Sequence, residues 1–198
     1  MFHLIKNHQV RWFFVWVGVG IRLFKRIKKR LRIVDSLSIC KVIMESSTKK
    51  FSKEDILAVM PQQPPFLFVD EAEVLDGEII GKYKIKDPEV FADGHFKGNP
   101  VFPGTLMFES LGQLCVLGLI KGVFEGMERP ADSSKIFFTS SESSRCMRIC
   151  RPNEVLELRA KPTRIRRPIA SFEASIRCGG ERTAFIEKLT LTFDYIPQ

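Results

Sequence analysis

The chain has 198 residues, 44% of them hydrophobic, which suffices for one ordinary domain with a sizeable core and is too little for two large ones. Its net charge of +8 is confined to the start: residues 1–43 hold ten Lys/Arg and one acid, leaving 21 basic and 22 acidic residues over 44–198. A near-neutral folded region lacks the basic stripe that phosphate backbones demand, so no nucleic-acid partner is expected. Along the chain, Trp12 to Ile21 is apolar but supplies only ten residues, about half of the ~20 a membrane-spanning helix needs. The densest basic cluster, Lys25 to Arg32, follows the apolar run, the reverse of a secretory signal. Gly20, Phe24, Ile27 and Leu31 fall at helical steps, with Arg22, Lys25, Arg26, Lys29 and Arg30 largely elsewhere, which would suit a helix lying on anionic lipid. The competing expectation is an unstructured extension, or a start assigned too early, with Met44 opening the domain. Residues 1–43 are therefore expected to be an appendage and 44–198 the folded domain.

Within that domain, Ser52 followed by Glu54 and Asp55 opens a short helix to about Val59, ended by Pro61, Pro64 and Pro65. Phe66 to Leu75 reads as a strand, Asp76-Gly77 as a tight turn, and Glu78 to Ile85 as the partner strand. A Pro/Gly-rich stretch, Asp87 to Phe102, is irregular. Pro103 at the first helical position then opens an apolar run to about Phe124. Apolar residues cover every face of that helix, so it should be buried, with Gly112, Gly118 and Gly122 permitting close backbone approach. Four strands complete the pattern: Ile136 to Met147, Glu154 to Ile165, Ala170 to Cys178 and Thr183 to Tyr195. One long buried helix and about six antiparallel strands make an α+β fold in which a curved sheet wraps the helix.

Chemistry is concentrated between His95 and Gln113. His95, the one histidine of the domain, sits in a Gly/Pro-rich loop that can hold an imidazole facing a cavity; a lone histidine is more often an ordinary structural residue. Glu109 lies among large apolar side chains, where an ionised carboxylate is expensive, so it could carry a proton and act as a general acid. It could equally face solvent. Gln113, one turn on, is placed to hydrogen-bond that carboxyl or another buried polar atom. Gly104 at the helix start offers N–H groups with positive partial charge to a thioester oxygen, or is simply a helix-start glycine. Five cysteines, at 40, 115, 146, 150 and 178, form no Cys-x-x-Cys pair and have no histidine nearby. Hence no metal or other cofactor is expected, and a reducing, cytoplasmic location fits.

The run HFKGNPVFPGTLMFESLGQ resembles the active-site segment of the bacterial 3-hydroxyacyl-[acyl-carrier-protein] dehydratases of fatty-acid synthesis, of both FabZ and FabA type. The shared pattern is His-Phe-x-Gly-x-Pro, two residues, Pro-Gly, then a helix bearing Glu or Asp, and it matches without a gap. Met60 to Asp70, MPQQPPFLFVD, is similar to that family's Leu-Pro-His-Arg-Pro-Pro-Phe-Leu-Leu-Val-Asp opening. Lys97 departs from the usual proline; His-Phe-x-Gly-Asn-Pro-Val is closer to FabA, and Glu109 closer to FabZ.

The resemblance implies a hotdog fold and dehydration of 3-hydroxyacyl thioesters, carried by acyl carrier protein, to trans-2-enoyl thioesters. It implies His95 as base at the α-carbon, Glu109 as acid to the β-hydroxyl and Gly104 as N–H donor to the thioester oxygen, with Phe96, Gly98, Pro103 and Gln113 around the substrate. In the family the histidine and the acid of one site come from different subunits, which implies a homodimer, with a trimer of dimers as a further assembly. An acidic carrier protein calls for basic residues at the tunnel mouth, for which Arg145, Arg148, Arg151, Arg164, Arg166 and Arg167 are candidates; each reads equally well as a solvated strand edge. Two other functions fit the same residues: a thioesterase in which Glu109 activates water, and a non-catalytic subunit that binds acyl carrier protein.

Overall fold

The computed structural model describes residues 49–87, 89, 92 and 94–197, so the expectations for residues 1–43 lie outside the described residues. Lys49–Phe51 forms β1 and Lys53–Leu57 forms α1. The start of α1 is a reciprocal cap: the Ser52 hydroxyl accepts from the Asp55 N–H at 3.3 Å, and the Asp55 carboxylate accepts from the Ser52 N–H at 2.9 Å. The Ser52 backbone, and after it the Ser52 hydroxyl, hold the Asp55 carboxyl below its usual range. A depressed carboxylate contributes stability that is present above its unfolded value and lost as pH falls through its folded value. Asp55→Asn is accordingly expected to soften the acid limb of a curve of Tm against pH; an unchanged acid limb would show that this cap carries none of the pH dependence.

Glu71–Leu75 is β2 and Glu78–Lys84 is β3. The turn between them puts Asp76 and Gly77 at φ 52° and 78°, as a hairpin of this length requires. Beyond them, Gly104–Ile120 is α2, Phe137–Cys146 is β4, Val155–Arg166 is β5, Ile169–Cys178 is β6 and Glu181–Thr192 is β7. All seven strands join one antiparallel sheet in the order β1-β2-β3-β5-β6-β7-β4. The seventh strand, beyond the six expected, is β1, whose three residues are too short for a periodic signal. The first expected strand is also shorter. Residues 66–70 leave the ladder and run beneath α2, with Leu67, Phe68 and Val69 buried.

The sheet curves around α2, which buries Met107, Ser110, Leu111 and every residue from Gln113 to Leu119. Pro103 caps this helix with extended backbone (ψ 136°) instead of occupying its first turn. The helix stops at Ile120, short of Phe124, because Gly122 takes φ +59° and the Val123 N–H returns to the Gly118 carbonyl at 3.1 Å. Close approach holds at Gly118, where a Cβ would meet the Phe124 ring at 2.3 Å, but not at Gly112, where no atom lies within 4 Å. Gly112 shares a helix face with Thr105, Phe108 and Glu109, and the sheet leaves that face only partly covered. The outer edge strand β4 is exposed at nine of its ten positions, and Phe137 and Phe138 are each 63% exposed.

Candidate active site

The loop ahead of α2 is closed by its own backbone. Phe96 and Asn99 exchange N–H···O bonds at 3.2 and 2.9 Å, Gly98 takes φ +72°, and the Val101 N–H donates to the His95 carbonyl at 2.9 Å. His95 Nδ1 lies 3.1 Å from the Val101 carbonyl oxygen. A carbonyl only accepts, so Nδ1 carries the hydrogen of that bond and the neutral ring keeps its lone pair on Nε2. The Phe96 ring stacks on the imidazole with centroids 4.0 Å apart, while its own side chain is half exposed. The ring is thereby held on one face and at one nitrogen.

His95 and Gly104 line one open cavity of about 340 Å³ with Val101, Phe102 and Met107, and with residues 146–149. The first intrahelical bonds of α2 run from the Leu106 and Met107 N–H groups to the Pro103 carbonyl, which leaves the Gly104 and Thr105 N–H groups ahead of the ladder. Those donors, with the positive end of the helix dipole behind them, suit a developing oxyanion. A Cβ on Gly104 would stand 2.9 Å from the Cys146 sulfur, so glycine is what lets the helix tip sit against β4.

Glu109 lies elsewhere. It is half-buried on the partly covered face of α2 and is not among the residues lining the His95 cavity. Gln113 fixes it: Nε2 donates to Glu109 Oε1 at 2.9 Å and to the Phe66 carbonyl at 3.0 Å, while Oε1 accepts from the Phe68 N–H at 2.8 Å. The opening motif and the helix are thus pinned together through one amide. Gln113→Leu would leave the buried Phe68 N–H and the part-buried Phe66 carbonyl without that partner, at about 1–3 kcal/mol for a buried unsatisfied group. Urea unfolding should show a loss of at least about 1 kcal/mol; wild-type stability would mean that the two backbone groups find water.

Of the candidate residues, the chain brings His95, Phe96 and Gly104 to one place and Glu109 with Gln113 to another. Gly98 supplies the loop turn and Pro103 the buried cap, and neither lines the cavity. Of the wall built by Cys146, Met147, Arg148 and Ile149, the sequence singled out Arg148 alone, as a candidate for the tunnel mouth. The wall reaches the helix tip only because β4 pairs with β7 in the register Cys146↔Ala184. Among the proposed docking residues, Arg148 is ion-paired with Glu154 at 2.6 Å and Glu181 at 3.4 Å, Arg167 with Asp194 at 2.9 Å, and Arg151 donates to Asn99 at 2.7 Å. Spacing suggested no metal set, yet the fold places ligand atoms of Cys150, Glu154 and Cys178 within 4.8 Å of one another.

Residues 60–187 match the FabA-like domain family. The chain is 32% identical over 146 residues to the 3-hydroxyacyl-[acyl-carrier-protein] dehydratase FabZ of Caulobacter vibrioides, an alignment covering 73% of this chain and 89% of that protein. It is 33% identical over 141 residues to the FabZ dehydratase of Lactococcus lactis subsp. cremoris, covering 70% and 91%. Among solved structures, a Haemophilus influenzae thioesterase superposes with a TM-score of 0.54 at 14% identity, covering 76% of this chain and 95% of the other. The dehydratase heterocomplex ApeI:P from Xenorhabdus doucetiae gives 0.53 at 20% identity, covering 68% and 88%. At those identities the two structures speak for the fold alone. The match across 60–187, together with relatives above 30% identity aligned over most of their length, shows that the chain belongs to the FabA-like family of 3-hydroxyacyl-[acyl-carrier-protein] dehydratases, with its hotdog fold.

Proposed function

We propose that the chain dehydrates 3-hydroxyacyl thioesters carried on acyl carrier protein to trans-2-enoyl thioesters, as a step of fatty-acid synthesis. His95 Nε2 takes the α-proton, the thioester oxygen is held by the Gly104 N–H at the tip of α2, and Glu109 gives a proton to the departing β-hydroxyl. Side chains and backbone of the protein itself carry out these transfers. Support comes chiefly from one observation: His95, with its Nδ1 committed to the Val101 carbonyl, shares a cavity with the free helix N-terminus.

The site is completed by a second copy. Glu109, Phe108 and Gly112 lie on a partly covered helix face, and β4 offers an edge of ten residues carrying two exposed phenylalanines. An exposed edge of that length calls for a partner strand. Pairing with a second β4 makes a homodimer in which each cavity takes His95 from one protomer and Glu109 from the other, and three such dimers can assemble further. Phe96, Pro103 and Gln113 shape the surroundings of the substrate, and exposed arginines such as Arg145 meet the acidic carrier protein. Residues 44–198 are the catalytic domain, and residues 1–43 are a basic appendage, either an unstructured extension or a helix lying on anionic membrane surfaces. Among the described residues no helix is long and apolar enough to cross a membrane.

The test is mass spectrometry of products after incubation with 3-hydroxyacyl carrier proteins of graded chain length. Loss of water with the thioester intact is the expected result. Release of thiol would make the chain a thioesterase, and unchanged substrate at every length would leave it a carrier-protein-binding subunit.

A further inference from the structure

Behind the wall of the His95 cavity lies a second cluster that the dehydration does not use. Cys150 and Cys178 are buried, and their sulfurs lie within 4.8 Å of each other and of a Glu154 oxygen. Arg148 covers them, donating to the Cys150 sulfur at 3.6 Å and to Glu154 Oε1 at 2.6 Å. Glu154 Oε2 accepts from the Arg151 N–H at 2.6 Å, so both carboxylate oxygens are engaged. A metal cation would have to enter beside a fixed guanidinium and displace it from the carboxylate. The same positive charge offsets part of what burial costs a thiolate there.

We propose that Cys150 and Cys178 are an oxidative modification site that closes to an intramolecular disulfide on exposure to hydrogen peroxide. The Cys150 sulfur attacks one peroxide oxygen; the O–O bond breaks, one water leaves and a sulfenic acid forms. The Cys178 sulfur then attacks the Cys150 sulfur, the S–O bond breaks and a second water leaves. Two thiols are oxidised by two electrons in all, and one peroxide is reduced to two waters.

Closure to the ~2.05 Å of an S–S bond requires the two sulfurs to approach from a separation within 4.8 Å. Cys150 lies in the connection ahead of β5, and Cys178 is the last residue of β6, before Gly179 and Gly180 at φ +58° and +82°. Access runs through the Arg148–Glu154 cover, whose side chains are 33% and 30% exposed. Burial foremost, then the neighbouring Cys178, pushes the Cys150 thiol up to about 12, so closure is expected to be slower than oxidation of the exposed Cys146. A bond formed there would fix Cys150, whose carbonyl accepts from the Phe102 N–H at 2.7 Å, and with it one wall of the cavity.

The experiment takes the full chain, reduced and then treated with hydrogen peroxide, alkylated after denaturation and digested with trypsin. Cleavage after Arg148 and Arg177 places Cys146, Cys150 and Cys178 in three different peptides. The expected result is a cross-linked Cys150–Cys178 peptide, two hydrogens lighter than its parts, with more than half of the alkylation at both positions lost together and restored by dithiothreitol. Cys150→Ser should leave Cys178 fully alkylated. The proposal is overturned if Cys150 and Cys178 in the wild type stay alkylated while Cys146 oxidises, or if they link to other cysteines. This readout needs no turnover, so an inactive chain would count against the dehydratase reading without touching the thiol site, and the wild-type map decides even where the serine variant does not fold.

Discussion

Replacing His95 with alanine is expected to lower kcat for 3-hydroxyacyl carrier protein by about two to four orders of magnitude, the usual contribution of a positioned general base. Alanine also removes the bond from Nδ1 to the Val101 carbonyl, worth about 0.5–1.5 kcal/mol, so a loss of activity alone would not separate chemistry from loop geometry. His95→Asn does separate them. An asparagine amide can still donate to Val101 but has no nitrogen lone pair able to take a proton. Both variants should therefore lose turnover alike while His95→Asn keeps a wild-type Tm. If His95→Asn retains more than about a tenth of wild-type kcat, imidazole is not the base and the role assigned to it fails.

The second large effect concerns Glu109. Glu109→Gln preserves an acceptor for the Gln113 amide, 2.9 Å away in the wild type, and removes only the transferable proton. Turnover should fall by about 10²–10⁴ with little change in unfolding midpoint. Mixing the two inactive proteins then tests where the halves of a site come from. If each site draws His95 from one protomer and Glu109 from the other, a mixed dimer holds one site with both residues intact and one with neither. Random exchange of equal amounts should restore about a quarter of wild-type activity. Sites confined to one protomer would restore nothing. The comparison is sharp because neither parent carries a functional site in any homodimer.

How far the fold could be read from sequence depended on the length scale of each signal. Period-two alternation from residue 155 onward, the Asp76-Gly77 turn and the Ser52 cap are local, and they reappear as β5 to β7, the β2–β3 hairpin and the α1 cap. Residues 66–70 carry strand-like apolar residues, yet they leave the ladder because the Phe66 carbonyl and the Phe68 N–H are taken by the Gln113 side chain from 45 to 47 residues away. Propensity cannot report a competitor so distant in sequence. Gly112 and Gly118 look alike in the chain and differ in the fold, because only Gly118 faces a ring.

The sequence by itself determined which groups are available for chemistry: one imidazole in a glycine-rich loop, one carboxylate in an apolar helix, a glycine at the tip of that helix and the amide one turn beyond the acid. Those are facts of composition and spacing, and covalent order preserves them. Tertiary structure alone decided that His95 meets Gly104 and the 146–149 wall but not Glu109 within the cavity of the single chain, and that two cysteines far apart in the sequence lie side by side under Arg148. Both follow from strand register, in which a long curved sheet sets residues from different strands against each other, and register is fixed by packing of the whole face rather than by any one segment.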